Sequence, residues 1–176
     1  MGTAEDFVKE KLVIGVLISV PEKKEKLINA LTERFGQADY VSPPMDFTFT
    51  DYYNEEMGDK IERFFISFAD LVDPSSLAEI KLVTNSIEDS FAENGKRKIN
   101  LDPGILSVES FILATTKNNG HRIPLKKGIY AEVTLMFVNR QFVPLQWTYA
   151  DYRSDDYRRI LTEIRKKYKE DLKRQE

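Results

Sequence analysis

The sequence predicts an α+β domain, with a ferredoxin-like (split βαβ) antiparallel sheet and helices on one face, extended by a C-terminal strand meander and a final helix. Two observations predict this fold class. Apolar residues repeat at strand spacing in some segments and at helical spacing in others, in the order strand, helix, strand, strand, helix, strand. No linker rich in Gly, Ser or Pro divides the 176 residues, so we expect a single domain, 1–176, with residues 1–10 as a flexible N-terminus.

The first strand and the first helix have clear boundaries in the sequence. The apolar, mostly β-branched run Leu12–Ile18 is typical of a strand that is buried on both faces. Pro21 suits the first position of a helix, and Gly36 supplies the left-handed residue that commonly follows the last turn. We therefore expect a strand followed directly by a helix that ends before Gly36.

The next two strands are predicted to form a hairpin-like unit. Asp46–Asp51 alternates polar and apolar residues with a period of two, as a strand with one wet face does. Gly58-Asp59 is a plausible turn, and Ile61–Phe68 is the second strand. The two segments are close enough in the chain to pair with each other.

Two further helices are marked by their first residues. Asp73 is suited to cap a helix that begins at Pro74 and ends at Asn94-Gly95. Ser154 caps the final helix, whose first turn is acidic and whose last turn is basic, in agreement with the helix dipole. Both segments also carry an apolar stripe at helical spacing.

The last third of the chain is predicted to be mostly strand. One strand ends where the turn-forming sequence Asp102-Pro103-Gly104 begins, and Asn139-Arg140 turns the chain between the last two strands. The expected strands are Arg97–Leu101, Phe111–Thr116, Ile129–Val138 and Gln141–Gln146. For Phe111–Thr116, a short helix is the alternative.

The strand Ile129–Val138 has the clearest alternation in the sequence. Its odd-numbered residues are all apolar, so we expect Val133 and Leu135 to be buried against a helix. Tyr130, Glu132 and Thr134 would then lie on the opposite face, open to solvent or lining a groove. A glutamate in that position needs a charged or hydrogen-bonding partner if it is buried.

The composition excludes several kinds of site. The chain has no cysteine, which excludes zinc–thiolate sites and iron–sulfur clusters. It contains neither the phosphate loop of P-loop enzymes nor the glycine pattern of a Rossmann-type NAD site. The net charge of −3 provides no bulk positive field for nucleic acid, and no signal peptide or membrane-length apolar run is present. We expect a cytoplasmic protein without a nucleic-acid or membrane partner; the oligomeric state stays open.

Polar residues in three separate segments are expected to converge around one groove. Strand spacing places Asn100 and Asp102 on one face, and the loop before the strand Ile129–Val138 contains the only histidine. Cationic side chains together with carboxylates, an amide and a histidine suit a small anionic ligand that is held beside acid–base groups. Asp102, His121 and Glu132 are candidates for catalysis, and the ligand-binding candidates are Asn100, Lys117, Arg122, Lys127, Tyr130, Trp147 and Tyr152.

Structural roles are the alternatives for these residues. Asp102 can serve only a turn, His121 can simply be exposed, and the segment from Trp147 to Tyr152 can pack as a connection into the final helix. A separate hypothesis concerns Asp51 and Glu56, whose carboxylates suit a hard cation such as magnesium, manganese or calcium.

Several longer motifs resemble an uncharacterised bacterial family of about this length, catalogued as a domain of unknown function. The resemblance extends from Leu12 to Ile164, and it implies no catalytic residues. Some members of that family carry the label "GTP-binding protein", whereas the GTPase phosphate loop is missing here. The motifs are Asp51-Tyr52-Tyr53, Glu56-Met57-Gly58, Asn100-Leu101-Asp102-Pro103-Gly104, Leu113-Ala114-Thr115-Thr116-Lys117, His121-Arg122-Ile123, Gly128–Leu135, Trp147-Thr148-Tyr149 and Asp151-Tyr152-Arg153-Ser154.

Three functions remain in competition at this point. The first is an enzyme or binding protein for a small phosphorylated or carboxylated ligand. The second is a GTP- or nucleotide-binding regulator, as the family label implies, and the third is a non-catalytic protein-interaction module. Convergence of Asp102, His121 and Glu132 in space would favour the first, whereas their wide separation would favour the third.

Overall fold

The computed structural model describes residues 2–175, which form one nine-stranded antiparallel sheet and four α-helices. The strand order is β2–β4–β1–β5–β6–β8–β7, with β3 paired to β4 and β9 paired to β8. The strands are β1 (Glu10–Ile18), β2 (Ala38–Val41), β3 (Met45–Asp46), β4 (Glu62–Val72), β5 (Ile99–Leu106), β6 (Ser110–Thr115), β7 (Ile123–Pro124), β8 (Tyr130–Val138) and β9 (Gln141–Pro144). The helices are α1 (Lys24–Phe35), α2 (Asn54–Met57), α3 (Leu77–Ser90) and α4 (Asp155–Gln175).

The α+β class is confirmed, as are the predicted ends of α1 and the predicted starts of α3 and α4. The end of α3 was predicted at Asn94-Gly95, but the helix ends earlier, at Ser90. Pro21 opens a short 3₁₀ turn that continues into α1, and Gly36 follows α1 with a φ of 88°. Asp73 accepts a hydrogen bond from the Ser75 amide ahead of α3, as an N-cap does. Residues 2–9 form neither helix nor strand, and Met1 and Glu176 of the predicted domain lie outside the described residues.

The two helices α1 and α3 lie on one face of the sheet, as expected, and the final helix α4, for which no face was predicted, covers the other face. The even-numbered residues of β1 pack with Leu31 of α1 and Ile80 of α3 in one apolar layer. Val13, on the opposite face of β1, packs with Leu161 of α4. Because β1 and β4 lie in the middle of the sheet, both of their faces need cover, and the amphipathic α4 supplies it for the second face.

The predicted turn at Asp102-Pro103-Gly104 is wrong, because β5 runs straight through it to Leu106. Pro103 is tolerated because β6 pairs with β5 only from Gly104 onward, so the missing amide of Pro103 interrupts no ladder with β6. Gly104 is required by packing, since a β-carbon there would lie 2.7 Å from the ring of Phe111. The turn chemistry of this sequence is therefore overridden by long-range contacts.

The strand Ile129–Val138 is confirmed as β8, but its faces are not those the alternation predicts. Val133 pairs with Ile112, whereas Leu135 pairs with Phe111, so Thr134 has no partner on β6. This bulge turns Leu135 toward the α4 layer, while the half-buried Val133 lies beside Ile112, which packs with α3. Glu132 consequently lies on the same side of the sheet as Leu135.

The segment Asp46–Asp51 is also not the strand that was predicted. Only Met45–Asp46 pairs with β4, and the chain then bends into the single helical turn α2. Phe47 and Met57 pack together with Leu17 beneath this turn, which fixes the segment over the end of β1. No helix within residues 2–175 is both long enough and apolar enough to cross a membrane.

Candidate functional site

The candidate site is a cavity that opens where β5 and β6 diverge. These strands pair only at Gly104, Ile105 and Leu106 of β5, which leaves the preceding half of β5 without a neighbour on that side. The backbone of Leu101 is satisfied by α3 instead: its amide donates to Glu88, and its carbonyl accepts from Lys81. A cavity of about 800 Å³ occupies the gap, a size suited to a small organic ligand.

Arg63 is the central charge of the cavity floor, although its side chain is only 2% exposed. Its two terminal nitrogens donate to Asp102 (2.9 Å) and Asp151 (3.2 Å), and its Nε donates to the Tyr157 hydroxyl (3.2 Å). Burial opposes the charged form of Arg63, but Tyr152, Asp102 and other neighbours keep its pKa above the usual value. One guanidinium thus holds two carboxylates beneath the cavity.

Tyr152 lines the cavity beside Arg63, and its hydroxyl is a buried group without a hydrogen-bond partner among the described residues. Gly15 makes room for both side chains. A β-carbon at Gly15 would lie 2.8 Å from a terminal nitrogen of Arg63 and 2.9 Å from the Tyr152 hydroxyl. A polar atom left unpaired in a cavity wall is well placed to bond to a ligand.

Asn100 and Asp102 project from β5 onto the same floor. Asn100 donates to Asp102 (2.8 Å) and accepts a hydrogen bond from Arg97 (3.1 Å). Arg97 in turn forms a multiple hydrogen-bonded pair with Glu56, and Arg97 lowers the pKa of that carboxyl group. The network joins the loop around α2 to β5, and it orients the Asn100 amide and the Asp102 carboxylate toward the cavity.

Glu132 forms the opposite wall together with Arg122. One carboxylate oxygen of Glu132 accepts from Arg122 Nε (2.8 Å) and lies 2.8 Å from His121 Nε2. His121 stacks on Trp147, whose indole donates to the Val133 carbonyl. Trp147 therefore holds His121, and His121 with Arg122 holds Glu132, which is 2% exposed.

Lys117 lies at the exposed rim and differs from the other cations of the cavity. Arg63, Lys81, Arg97 and Arg122 each lie within 4.0 Å of a carboxylate. Lys117 has no carboxylate partner among residues 2–175; its ammonium lies 4.3 Å from the centre of the exposed Tyr52 ring. It is the lining cation that is available to a ligand.

Burial shifts the titration of two acids in the lining. It raises the pKa of Glu88 to about 7, although Lys81 opposes the shift. It also raises the pKa of Asp151, in spite of the nearby Arg63 guanidinium. Both carboxylates therefore take up protons more readily than exposed acids do.

The structure brings most of the sequence-derived candidates together, and it places four outside the cavity lining. The candidates that line the cavity are Asn100, Asp102, Lys117, Arg122, Glu132 and Tyr152. The four that do not are His121, which contacts the lining through Glu132, Lys127, in an exposed turn, Tyr130, at the start of β8, and Trp147, behind His121. Whether the lining residues bind or transform a ligand stays a prediction.

The two residues proposed for a cation have different partners. Asp51 accepts a hydrogen bond from Asn54, and Glu56 is paired with Arg97. Within the described part of the chain, no three His, Asp or Glu residues are grouped as a metal-binding set. The divalent cation stays a prediction without a preformed set of ligands.

Sequence reasoning missed several residues of this site, above all Arg63, Glu88 and Asp151. The signal for Arg63 was present, because this arginine lies inside the predicted strand Ile61–Phe68, directly before Phe64–Phe68, which are nearly all apolar. Asp151 lay within the segment 147–154, from which only Trp147 and Tyr152 were chosen as candidates. Glu88 carries no local signal, since it lies among ordinary polar residues of a helix.

Comparison with known proteins places the chain in one family without assigning it a function. No curated protein and no solved structure matches the sequence. A family model described as "Domain of unknown function (DUF4416)" matches residues 8–168, which include every strand and the first two thirds of α4. The cavity lining therefore falls within the matched region. The chain belongs to this family of unknown function.

Proposed function

We propose that this protein binds a small organic molecule with one anionic group, a carboxylate or a phosphate, in the cavity between β5 and β6. The observation that carries the proposal is the charge pattern of the lining, in which Lys117 is the cation not paired with a carboxylate within residues 2–175. A single available ammonium at the rim suits one anionic group. The aromatic residues Phe47, Phe49 and Tyr149 provide apolar walls for the rest of the molecule.

Roles for the sequence-derived candidates follow from their positions. Asp102 and Glu132, as lining carboxylates, are the proposed contacts for polar groups of the ligand and the candidates for acid–base chemistry on it. His121 is proposed as a positioning residue, because it contacts Glu132 and does not line the cavity. Trp147 supports His121 by stacking.

The nucleotide-binding alternative is weaker on the same grounds. A triphosphate needs several cations or a cradle of backbone amides, and the sequence lacks the phosphate loop. Four of the five lining cations already have carboxylate partners. The interaction-module hypothesis is also weakened, because Asp102, Glu132 and, through Glu132, His121 belong to one cavity.

A thermal-shift screen tests the proposal. The panel contains small carboxylates and phosphates, GTP with magnesium, and magnesium, manganese or calcium alone. A ligand present at 100 times its dissociation constant stabilises the protein by about 2.7 kcal/mol, which raises the melting temperature of a chain of this size by about 5–10 °C. The shift is expected with a ligand that has one anionic group, and Lys117→Ala should abolish most of it.

Lys169→Ala, at an exposed position of α4, is the matched control and should leave the shift unchanged. Equal shifts in Lys117→Ala and in the unaltered protein would contradict the proposed anion contact. Stabilisation by magnesium–GTP alone would support the nucleotide regulator in its place.

We also propose that β2–β4–β1–β5 with α1 and α3 constitutes a ferredoxin-like, split βαβ core. Support comes from the antiparallel pairing of β1 with both β4 and β5 and of β2 with β4. The elements also follow one another along the chain as that pattern requires. The strands β6 to β9 and α4 would then be the addition that encloses the cavity.

A further inference from the structure

The floor of the cavity offers more hydrogen-bond acceptors than the protein uses. Asp102 accepts from Arg63 and Asn100, and Asp151 accepts from Arg63 and from the Tyr152 amide. A carboxylate can accept about four hydrogen bonds, so each has capacity left. The three charged groups together carry one negative charge, which favours a ligand that donates hydrogen bonds at this end.

The Tyr152 hydroxyl supplies the second and independent observation. This hydroxyl is buried in the cavity wall, since Tyr152 is only 2% exposed. No group of the described residues forms a hydrogen bond with it. A ligand hydroxyl can accept the proton of the phenol while it donates its own proton to a neighbouring carboxylate. An ammonium group can donate to the carboxylates and to the phenol oxygen, but it has no lone pair with which to accept the proton of the phenol.

The rim and the floor of the cavity are chemically unlike. The rim carries the available Lys117, whereas the floor carries Asp102, Asp151 and Tyr152. Between them, aromatic rings of Phe47 and Tyr53 can pack against the C–H face of a saturated ring. A ligand that matches both ends needs an anionic group at one end and several hydroxyls at the other.

We infer that the ligand is a polyhydroxylated molecule with one anionic group, either a sugar monophosphate or a sugar acid. Its hydroxyls lie against Asp102, Asp151 and Tyr152, and its anionic group lies at Lys117. This inference rests on the proposed function and specifies the ligand class for the same cavity.

Calorimetric titration of the full chain with paired probes tests the inference. Ribose 5-phosphate and glucose 6-phosphate represent sugar phosphates, and gluconate represents sugar acids. Phenyl phosphate and benzoate have the anionic group without the hydroxyls, glucose has the hydroxyls without the anionic group, and glutamate carries an ammonium group. At least one polyhydroxylated anion should bind about tenfold more tightly than phenyl phosphate, benzoate, glucose and glutamate. Comparison of gluconate with the two sugar phosphates decides which anionic group is preferred.

The variant Tyr152→Phe removes only the unpaired hydroxyl. We expect it to weaken the preferred polyhydroxylated probe by about tenfold, as the loss of one hydrogen bond does, without changing the binding of phenyl phosphate or benzoate. Tyr40→Phe, a half-buried tyrosine outside the cavity lining, is the matched control and should bind every probe normally.

The outcomes separate this inference from the function on which it rests. If phenyl phosphate or benzoate binds as tightly as the polyhydroxylated probes, or if Tyr152→Phe weakens all anions equally, the inference is wrong and the anion-binding function stands. If glutamate binds most tightly, the floor accepts an ammonium group and the inference is again wrong. If no anionic probe binds the unaltered protein, both fail.

Discussion

The two faces of β1 differ sharply in what they contact. The even-numbered residues, such as Leu12 and Ile14, are fully buried in an apolar layer beneath α1 and α3. The odd-numbered face begins with the buried Lys11, which pairs with Asp39 and Asp171, and continues past Gly15. The apolar layer needs no partners beyond close packing, whereas each charge on the other face depends on groups distant in the chain.

The apolar face of β1 therefore serves the stability of the fold, whereas the opposite face contains the charges of the candidate site. An apolar layer stabilises the fold through burial of surface. The buried charges of Arg63, Asp102 and Asp151 cost solvation free energy that their mutual contacts only offset. A fold that retains such a cluster beneath a cavity fits a ligand-binding role better than a purely structural one.

The largest effect is expected for removal of the central charge. Arg63→Leu leaves Asp102 and Asp151 as uncompensated, partly buried carboxylates, so the free energy of unfolding should fall by about 3–5 kcal/mol. Urea denaturation measures this loss. Arg159→Leu, which breaks an exposed pair with Asp156, is the control and should change little. A near-neutral Arg63→Leu would show that the charges are not coupled as described.

Apolar truncations compare the two layers directly. Leu12→Ala opens the layer beneath α1 and α3, and Leu135→Ala opens the layer beneath α4. Both leucines are fully buried, so each substitution should cost about 2–5 kcal/mol in the free energy of unfolding. A loss below about 1 kcal/mol for Leu135→Ala would show that α4 does not close a true core.

The pH dependence of stability reports on Glu88, which lies at the boundary between the two regions. Its pKa of about 7 exceeds the ordinary value of 4.5, so the folded protein retains a proton that the unfolded chain releases between these pH values. Stability should therefore fall as pH rises through this window, by an amount on the order of 3 kcal/mol for this group alone.

Glu88→Gln keeps an acceptor for the Leu101 amide and removes the titration. The variant should gain stability relative to the unaltered protein as pH rises from 4.5 to 7, as measured by denaturation at each pH. A stability difference that does not vary with pH would contradict the raised pKa of Glu88.

The smallest effect is expected at the cavity wall. Tyr152→Phe deletes a hydroxyl that has no partner among residues 2–175, so the protein without ligand should be as stable as before or slightly more stable. Thermal denaturation measures this. A loss above about 1 kcal/mol would show that the hydroxyl already forms a hydrogen bond within the folded chain.

The apolar layer was largely predictable from sequence, because its signals are local. Alternation, the Asp73 cap and the position of Gly36 each depend on a few neighbouring residues. The turn at Asp102-Pro103-Gly104 was wrong because the divergence of β5 and β6 cannot be read from three residues. The bulge at Thr134 likewise depends on how β8 pairs with β6.

The candidate site was predictable only in part for the same reason. Strand spacing brought Asn100 together with Asp102, and the loop position brought Arg122 near Glu132. Arg63 was missed because a charged residue is usually exposed, and its burial depends on Asp102 and Asp151, which lie 39 and 88 residues away in sequence.

The most direct test of the binding site is to locate the bound ligand by NMR. ¹⁵N-labelled protein is titrated with the probe that has one anionic group and gives the largest shift in the thermal-shift screen. We expect the largest amide shift changes around Lys117, Asp102 and Tyr152, and their loss in Lys117→Ala but not in Lys169→Ala. Changes centred instead on the smaller pocket beside Pro43 and Ile160, or identical changes in Lys117→Ala, would contradict the claim that the cavity between β5 and β6 is the binding site.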